Sequence, residues 1–540
     1  MERGPAEIPA PAKAPVARHR LAEGALAVAA LFLGLYFLSL RIRAAGLPLG
    51  DQGSWLSVAA ELVRGHGFTT QWLEYHWQTP YVLPRPDDFR YPALTSILAL
   101  SFLGGGISYR VALWTVAGIF LGFALCAYLF FRSAHGRWPA MAALWLMSAS
   151  LLQLEWNSAV YTEGLFGLVL VLVARFSTTG RIQSRAWWGR LGAGVGLLYL
   201  VRPNGILFAP GIALLFLRRR RGLALGWDRP ALAYAALLGT IAPWLIRTWV
   251  HFGNPFHIAG SAGLLMDGHG QPHTYSLWEY LSGHDALFPA VKMAVGAWRL
   301  LETLHFFEHG LELAPLALAV LALFLRQPFH NAFLASGFLF SFAACAYAGY
   351  NSWAGLRYFS AMMPFLYAYG LASVPALAAA VRELSLGHGR RRAWPAGMTG
   401  VMGAAGLILL LLPVVNPHRF YARKYAHPPD PRPEFADHLA RLEALLPPGG
   451  RYYAGDFCRL NFQTGRDCVG LQELYDSTWF SRSMRAFHPG WVALTHAETG
   501  DSSMGEALAR MRAEGYRLDT LAVGGLGVYY GLKPAGVATP

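Results

Sequence analysis

The stretch from Leu21 to Leu40, LAEGALAVAALFLGLYFLSL, is apolar throughout except for Glu23. A helix of about twenty residues is roughly 30 Å long, which matches the hydrocarbon core of a bilayer. Arg41 follows without a small-residue cleavage site, so the pattern indicates a membrane span rather than a signal peptide. The Pro- and Ala-rich residues 1–20 before it are predicted to form a disordered cytoplasmic tail.

Similar apolar segments recur along the chain, and we predict a polytopic α-helical membrane protein with about eleven transmembrane helices. The sequence is only 14% charged, whereas a soluble protein is about 25% charged. Residues 91–103 are apolar but short, and we expect a helix at the membrane interface there. Residues 252–310 are assigned to an outer loop. The further predicted spans are 109–131, 137–154, 160–176, 189–203, 204–217, 230–251, 311–325, 331–349, 359–381 and 395–415.

The loops on the two sides of the predicted membrane differ in charge. Loops expected inside are basic, and loops expected outside contain most of the acids, which is typical of a cytoplasmic N-terminus. An odd number of spans then places the C-terminus outside. The net charge of +14 is concentrated in short runs such as Arg218–Arg221, so we do not predict nucleic-acid binding. Recruitment of anionic lipids is the alternative interpretation of these runs.

The predicted membrane domain spans residues 21–415, with a large first outer loop at 44–108. Residues 416–540 alternate helix and strand patterns, which predicts a small extracytoplasmic α/β domain. Cys458 and Cys468 both lie there, and a disulfide between them is an open alternative. The strand patterns lie at 451–455, 491–495 and 521–532, and the helical patterns at 432–446 and 503–514.

Two acids begin predicted helices on the outer side. Asp51 follows Gly50 and precedes a helical pattern, and Glu163 follows Thr162 at the start of a span. An acid at a helix start is commonly a cap or a dipole partner. Carboxylates near a membrane are also commonly functional, because burying them in lipid is costly. Together the two acids are candidates for a general base or for metal ligands.

Cationic side chains are expected on the same face: Arg90, Arg202, Arg247, and Arg357 beside Tyr358. Guanidinium groups bind phosphate in bidentate fashion, although interaction with lipid headgroups is the simpler alternative for each. Nucleotide donors are expected in the cytoplasm, so an outer site of acids and arginines favours a lipid phosphate as the activated group. The histidines between 251 and 273 have no regular metal-binding spacing.

In order and placement, these motifs resemble the GT-C glycosyltransferases, and within them the protein O-mannosyltransferase and lipid A aminoarabinose transferase group. The motifs that carry the resemblance cover most of the membrane region. They are Gly50-Asp51-Gln52, Phe89-Arg90-Tyr91-Pro92, Tyr161-Thr162-Glu163, Leu200-Val201-Arg202-Pro203-Asn204-Gly205, Pro243-Trp244-Leu245-Ile246-Arg247, Phe252-Gly253-Asn254-Pro255, and Arg357-Tyr358 with Pro364.

The resemblance implies that Asp51 is the catalytic base or part of that site, and that Glu163 is a second acid that assists it or holds a metal ion. Arg90 stands where many relatives have a Lys that contacts the lipid phosphate. Gln52 stands where many relatives have a second acid, which puts a metal site of adjacent carboxylates in doubt. The implied donor is a polyprenyl-phosphate-linked sugar, undecaprenyl-linked in the inner membrane of a bacterium. The implied donor-phosphate ligands are Arg90, Arg202, Arg247, Arg357 and Tyr358.

The expected function is therefore transfer of a sugar to a hydroxyl on a glycan, lipid or protein acceptor at the outer face. Two alternatives remain open from the sequence: a lipid or solute transporter or flippase, and a non-catalytic envelope assembly protein. The predicted site requires that Asp51 and Glu163 come together with at least one of Arg90, Arg202, Arg247 and Arg357.

Overall fold

Most of the chain is described by a computed structural model, in which helices predominate. The described residues are 14–44, 48, 51–73, 82–178, 182–257, 282–285, 287–306, 313–324, 331–349, 354–375, 440, 444–445, 450–454, 461–462, 466–470, 484, 487, 489–495, 502–523 and 527–534.

The helices of the described residues include three that are long and apolar enough to cross a membrane: α1, α4 and α10. In chain order the helices are α1 (Ala14–Ala44), α2 (Asp51–Val63), α3 (Pro92–Gly105), α4 (Tyr109–His135), α5 (Arg137–Ala149), α6 (Leu151–Asn157), α7 (Glu163–Thr178), α8 (Arg185–Val201), a 3-10 helix (Pro203–Phe208), α9 (Ala209–Leu223), α10 (Asp228–Phe252), α11 (Phe288–Phe306), α12 (Leu313–Phe324), α13 (Ala332–Gly349), α14 (Ala354–Ser360), α15 (Met363–Ala372) and α16 (Ser502–Ala513).

The first helix begins earlier than the sequence predicts. α1 starts at Ala14, so residues 14–20 are helical rather than part of the predicted disordered tail. Pro15 lies in the first turn of α1, where backbone N–H groups have no intrahelical acceptor. The N–H that proline lacks therefore costs the helix no hydrogen bond.

Two predicted spans are interrupted in the structure. The predicted 137–154 helix breaks at Ser150, whose hydroxyl accepts from the backbone N–H of Gln153 at 3.3 Å and so caps α6. Within the predicted span 359–381, α14 ends at Ser360 and α15 begins at Met363 with Pro364 in its first turn. These breaks place short polar helix ends inside an otherwise apolar bundle.

Residues 44–108, for which we keep the name of the predicted first outer loop, contain regular structure among their described residues. They include α2, whose residues Gln52 to Glu61 are all buried, and α3, a helix in the segment where the sequence predicts one. Strands β1 (Thr69–Thr70) and β3 (Arg85–Pro86) pair in antiparallel fashion between these helices. The loop therefore has a fixed backbone from which its polar side chains project.

α8 and α10 approach each other very closely. A Cβ at Gly192 would lie 1.8 Å from the Ala233 carbonyl oxygen, and one at Gly196 would lie 2.7 Å from the Thr240 Cβ. Small residues four positions apart allow the two backbones to come together, as in other membrane helix pairs. The close packing fixes the end of α8, where Arg202 follows.

The segment 288–306, assigned from sequence to an outer loop, is helix α11, which packs against α13 and α14. Its apolar positions are interrupted by Lys292, Arg299 and Glu302, which obscured the helical pattern. The predicted span 395–415 lies outside the described residues.

The C-terminal part forms a sheet with α16 beside it. Four of its strands lie in or overlap the predicted strand segments: β4 (Tyr452–Ala454), β6 (Trp491–Thr495), β7 (Tyr516–Val523) and β8 (Gly527–Pro534). The sheet also contains β5 (Cys468–Gly470) and, unexpectedly, β2 (Trp72–Leu73) from the first outer loop. Among the described residues the strand order is β2-β5-β4-β6-β8-β7. Cys458 and most of the predicted 432–446 helix lie outside the described residues.

Candidate functional site

The predicted acids lie at the starts of α2 and α7, and the short helix α14 links them through an arginine. Asp51 is the first residue of α2, and Glu163 is the first residue of α7. Arg357 of α14 donates from Nη1 to Asp51 Oδ2 at 2.9 Å and from Nε to Glu163 Oε1 at 2.7 Å. One guanidinium therefore joins two carboxylates that are far apart in the sequence.

Two further arginines complete this cluster of charges. Arg90 Nη2 donates to Asp51 Oδ1 at 3.3 Å, and Arg202 Nη2 donates to Glu163 Oε1 at 3.2 Å. Each acid thus has its own arginine and shares Arg357 with the other. We call these five residues, Asp51, Arg90, Glu163, Arg202 and Arg357, the charged cluster.

Each guanidinium of the charged cluster also lies over an aromatic ring. The Arg357 Cζ is 3.7 Å from the ring centre of Tyr161, and the Arg202 Cζ is 4.1 Å from that of Tyr358. Arg90 Cζ lies 4.7 Å from the ring of Phe89. Stacking holds the plane of a guanidinium while its edges remain donors. The ring of Tyr358 therefore lies against the Arg202 guanidinium.

The two acids differ in accessibility. The Asp51 side chain is 41% exposed, whereas Glu163 is completely buried. Desolvation by the surrounding protein raises the pKa of Asp51, but the charges of Arg90 and Arg357 outweigh it and lower that pKa to about 2. Asp51 is therefore an ionised carboxylate, and of the two acids it is the one that a ligand can reach.

Local backbone geometry explains where Arg202 stands. Arg202 is extended, as expected for a residue before proline, and Pro203 opens the 3-10 helix. A Cβ at Gly205 would lie 2.3 Å from the Leu198 carbonyl carbon, so only glycine lets the chain fold back this closely on α8. Arg202 is thereby turned from the end of α8 toward Glu163.

The loop before α3 holds Arg90 through a buried acid. Asp87 Oδ2 accepts from the Arg90 backbone N–H at 2.7 Å, while the Arg90 Nε donates to Ser54 Oγ at 2.6 Å. Burial and the neighbouring Asp88 raise the pKa of Asp87 to about 6. Asp88 instead pairs with the fully buried Arg85, with Nη2 3.0 Å from Oδ2. Arg90 is thus anchored at its backbone and along its side chain.

Arg247 occupies a different position from the one expected. It donates from Nη2 to the backbone carbonyls of Phe68 at 2.7 Å and Asp87 at 2.9 Å. Among the described residues, its hydrogen bonds are to the first outer loop rather than to Asp51 or Glu163, and its guanidinium also lies 4.6 Å from the ring centre of Trp244. The structure therefore places Arg247 beside the segment that carries Arg90, and not in the charged cluster.

Sequence reasoning missed several residues that organise the site. Ser54, three positions after Asp51 on one helix face, accepts from Arg90. Gln52 Oε1 accepts from the Tyr109 hydroxyl at 2.9 Å and from the Val160 N–H at 3.0 Å. Gln52 therefore links α2 to the segment before Glu163. The helical spacing was a usable signal for Ser54, whereas nothing local in the sequence indicated the partners of Gln52.

The charged cluster does not favour a divalent metal ion. Asp51 and Glu163 are the only acids in it, and three guanidiniums already surround them. A dication between these guanidiniums would meet strong like-charge repulsion. In the part of the chain that the structure describes, no group of three His, Cys, Asp or Glu residues has metal-binding geometry. We assign no chemical step to a metal.

Solved structures with a similar fold are found over nearly the whole chain. ArnT from Cupriavidus metallidurans bound to undecaprenyl phosphate is 14% identical, with a TM-score of 0.53 over 96% of this chain and 99% of that one. AglB from Archaeoglobus fulgidus, in complex with an inhibitory peptide and a dolichol-phosphate, is 12% identical, with a TM-score of 0.57 over 97% of this chain and 75% of that one. Both are GT-C glycosyltransferases. The chain has the GT-C fold.

This finding confirms the fold that the sequence motifs imply. Together with the three long apolar helices, it identifies the chain as a membrane protein. No family model matches the sequence, and no curated protein matches it either.

Proposed function

We propose that the protein is an inverting glycosyltransferase that takes a sugar from a polyprenyl-phosphate donor at the outer face of a bacterial inner membrane. The observation that carries the proposal is the charged cluster, in which the accessible Asp51 carboxylate pairs with two arginines and the buried Glu163 pairs with a third. The arginines offer donors to a phosphate, and Asp51 offers an acceptor for a proton.

In the proposed reaction, the acceptor hydroxyl oxygen attacks the anomeric carbon of the donor sugar. A new C–O bond forms while the bond from the anomeric carbon to the phosphate oxygen breaks, and the phosphate leaves with its electron pair. Asp51 takes the hydroxyl proton. The arginines stabilise the negative charge that grows on the leaving phosphate.

The pKa of Asp51, about 2 in this structure, is low for a general base. A donor phosphate competes with Asp51 for Arg90 and Arg357, since both anions need the same donors. As the guanidiniums turn toward phosphate, Asp51 loses the charges that lower its pKa and becomes a stronger base. Donor binding therefore raises the basicity of Asp51 before the acceptor hydroxyl is deprotonated.

The comparisons support the donor class. The related fold of ArnT was solved with undecaprenyl phosphate, and that of AglB with a dolichol-phosphate. Both ligands combine a long isoprenoid chain with a phosphate, which suits a cluster of arginines next to apolar helices. The sugar and the acceptor, whether glycan, lipid or protein, are questions for experiment.

The test is sugar transfer from a synthetic undecaprenyl-phosphate-linked sugar by purified protein in lipid nanodiscs. Asp51→Asn should lower the rate by about 10²–10⁴-fold while keeping the fold, as expected for loss of a general base. Asp228→Asn is the matched control, because Asp228 also begins a helix and pairs with an arginine, Arg185, at 2.7 Å. Wild-type activity in folded Asp51→Asn would exclude Asp51 as the base.

The same nanodiscs distinguish the alternatives. A transporter or flippase would move the labelled donor between leaflets without cleaving the bond from sugar to phosphate. A non-catalytic assembly protein would do neither, and its cellular role would survive loss of both Asp51 and Glu163.

A further inference from the structure

The C-terminal sheet includes a strand from the loop that carries Asp51. Trp72 and Leu73 of β2 pair in parallel with Cys468 and Val469 of β5. The Cys468 N–H also donates to the Gln71 carbonyl at 3.0 Å. Leu73 and Val469 are fully buried in the apolar cluster of this sheet. The first outer loop is thus built into the C-terminal sheet.

Gln71 makes contacts in two directions. Its backbone carbonyl belongs to the sheet, whereas its side-chain Nε2 donates to Glu61 Oε2 at 3.3 Å. Glu61 is only 2% exposed, and it also accepts from Arg64 Nη1 at 2.6 Å. His66 Nδ1 lies 2.6 Å from the same carboxylate. A buried carboxylate with several partners is a strong fixed point, because losing a partner leaves charge uncompensated.

Glu61 and Asp51 lie near opposite ends of the same helix. Every residue of α2 from Gln52 to Glu61 is buried, so the helix is held along its length and moves as one body. A displacement at Glu61 therefore reaches Asp51. Proton transfer depends on placement to a fraction of an ångström, and a shift of about 1 Å commonly costs about 10²-fold in rate.

We propose that Glu61 and Gln71 form a joint through which the C-terminal sheet positions Asp51 against Arg357. Both are positioning residues that act through α2, and neither is expected to touch substrate. The catalytic part of this inference rests on the proposed function, whereas the mechanical link between the sheet and α2 does not.

The experiment compares Gln71→Ala and Leu73→Ala with one control in the full-length protein in nanodiscs. Leu532→Ala removes an equivalent side chain from the same apolar cluster, on β8, which is not a neighbour of β2 in the sheet. Hydrogen exchange is followed at Arg64 and His66, whose N–H groups close the end of α2.

Gln71→Ala and Leu73→Ala should accelerate exchange at the end of α2 by about tenfold and lower kcat by about 10–100-fold. The KM for the lipid donor should change less than threefold. Glu61→Gln, which keeps an oxygen for Gln71, should retain more activity than Glu61→Ala. Leu532→Ala should stay within about twofold of the parent in both exchange and kcat.

Two results would contradict the proposed joint. One is unchanged exchange and unchanged kcat in Gln71→Ala; the other is an equal loss of kcat in Leu532→Ala at equal thermal stability. If the parent protein transfers no sugar, the proposed function fails, and the exchange measurements still decide whether the sheet holds α2.

Discussion

Arg357 donates to two carboxylates, so variants at this residue separate its charge from its geometry. Lysine keeps the charge but presents a single nitrogen, which cannot reach Asp51 and Glu163 together in the manner of Nη1 and Nε. We expect Arg357→Lys to fold but to lose most sugar transfer. Arg357→Met should also destabilise the protein by about 3–5 kcal/mol, because it removes a partner from the completely buried Glu163.

A second substitution checks this explanation. Adding Glu163→Gln to Arg357→Met removes the uncompensated charge, and it should raise the thermal midpoint above that of Arg357→Met alone without restoring transfer. An unchanged midpoint in the double variant would contradict the electrostatic account.

Asp87 predicts a specific pH dependence of stability. Its pKa is raised to about 6 in the folded protein from 3.8, mainly by burial. A raised carboxyl pKa stabilises the fold at pH below about 3.8, and that contribution is lost as the pH rises through 6. Asp87→Asn still offers an oxygen to the Arg90 N–H but carries no charge. Its effect on the free energy of unfolding should therefore be more favourable at pH 7 than at pH 4.

Thermal midpoints at pH 4, 5, 6 and 7 measure this effect. Asp88→Asn is the control of opposite sign. Burial raises the Asp88 pKa, but Arg85 and His257 outweigh it, so the net shift is downward. The contribution of Asp88 is therefore present above its unfolded pKa and is lost as the pH falls. Parallel pH profiles for the two variants would contradict the assignment.

Among the elements, the α8–α10 pair is the most sensitive to added volume. A Cβ at Gly192 would meet the Ala233 backbone carbonyl at 1.8 Å, so the helices must separate to accept alanine. We expect Gly192→Ala to cost about 1–3 kcal/mol and to weaken sugar transfer as well, because Arg202 directly follows α8. The control is Gly189→Ala on the same helix, where the nearest atom is 3.7 Å away and alanine favours the helix over glycine. Equal losses in both variants would contradict the steric explanation.

The same elements show what the sequence can predict. Asp51, Glu163, Arg202 and Arg357 were identifiable because each lies at a helix end beside a polar break. The break between α14 and α15 was not, since continuous apolar composition conceals an interruption. Nor was β2, because a two-residue strand has no period and its partner β5 lies far along the chain. The position of Arg247 is not predictable either, because its acceptors are backbone carbonyls, which carry no residue-type signal in the sequence.

At the scale of the whole molecule, the predicted topology is testable. We predict that the C-terminal sheet lies outside and the turn between α4 and α5 inside. Arg512→Cys, at an exposed position on α16, should gain label from a membrane-impermeant maleimide in intact spheroplasts, relative to the parent with its own cysteines. Trp138→Cys, at a position that is 79% exposed, should gain label only after permeabilisation. The reverse pattern would invert the orientation.

The pairing of β2 with β5 also sets an order for the making of the protein. Strand Trp72–Leu73 leaves the ribosome long before its partner Cys468–Val469. At about 5–20 residues per second, synthesis of the intervening chain takes roughly 20–80 s. Until then the segment that carries Asp51 has no sheet to join, while the early apolar helices are already available for insertion into the bilayer. Completion of the catalytic geometry is therefore expected to be among the last events in the biogenesis of this protein.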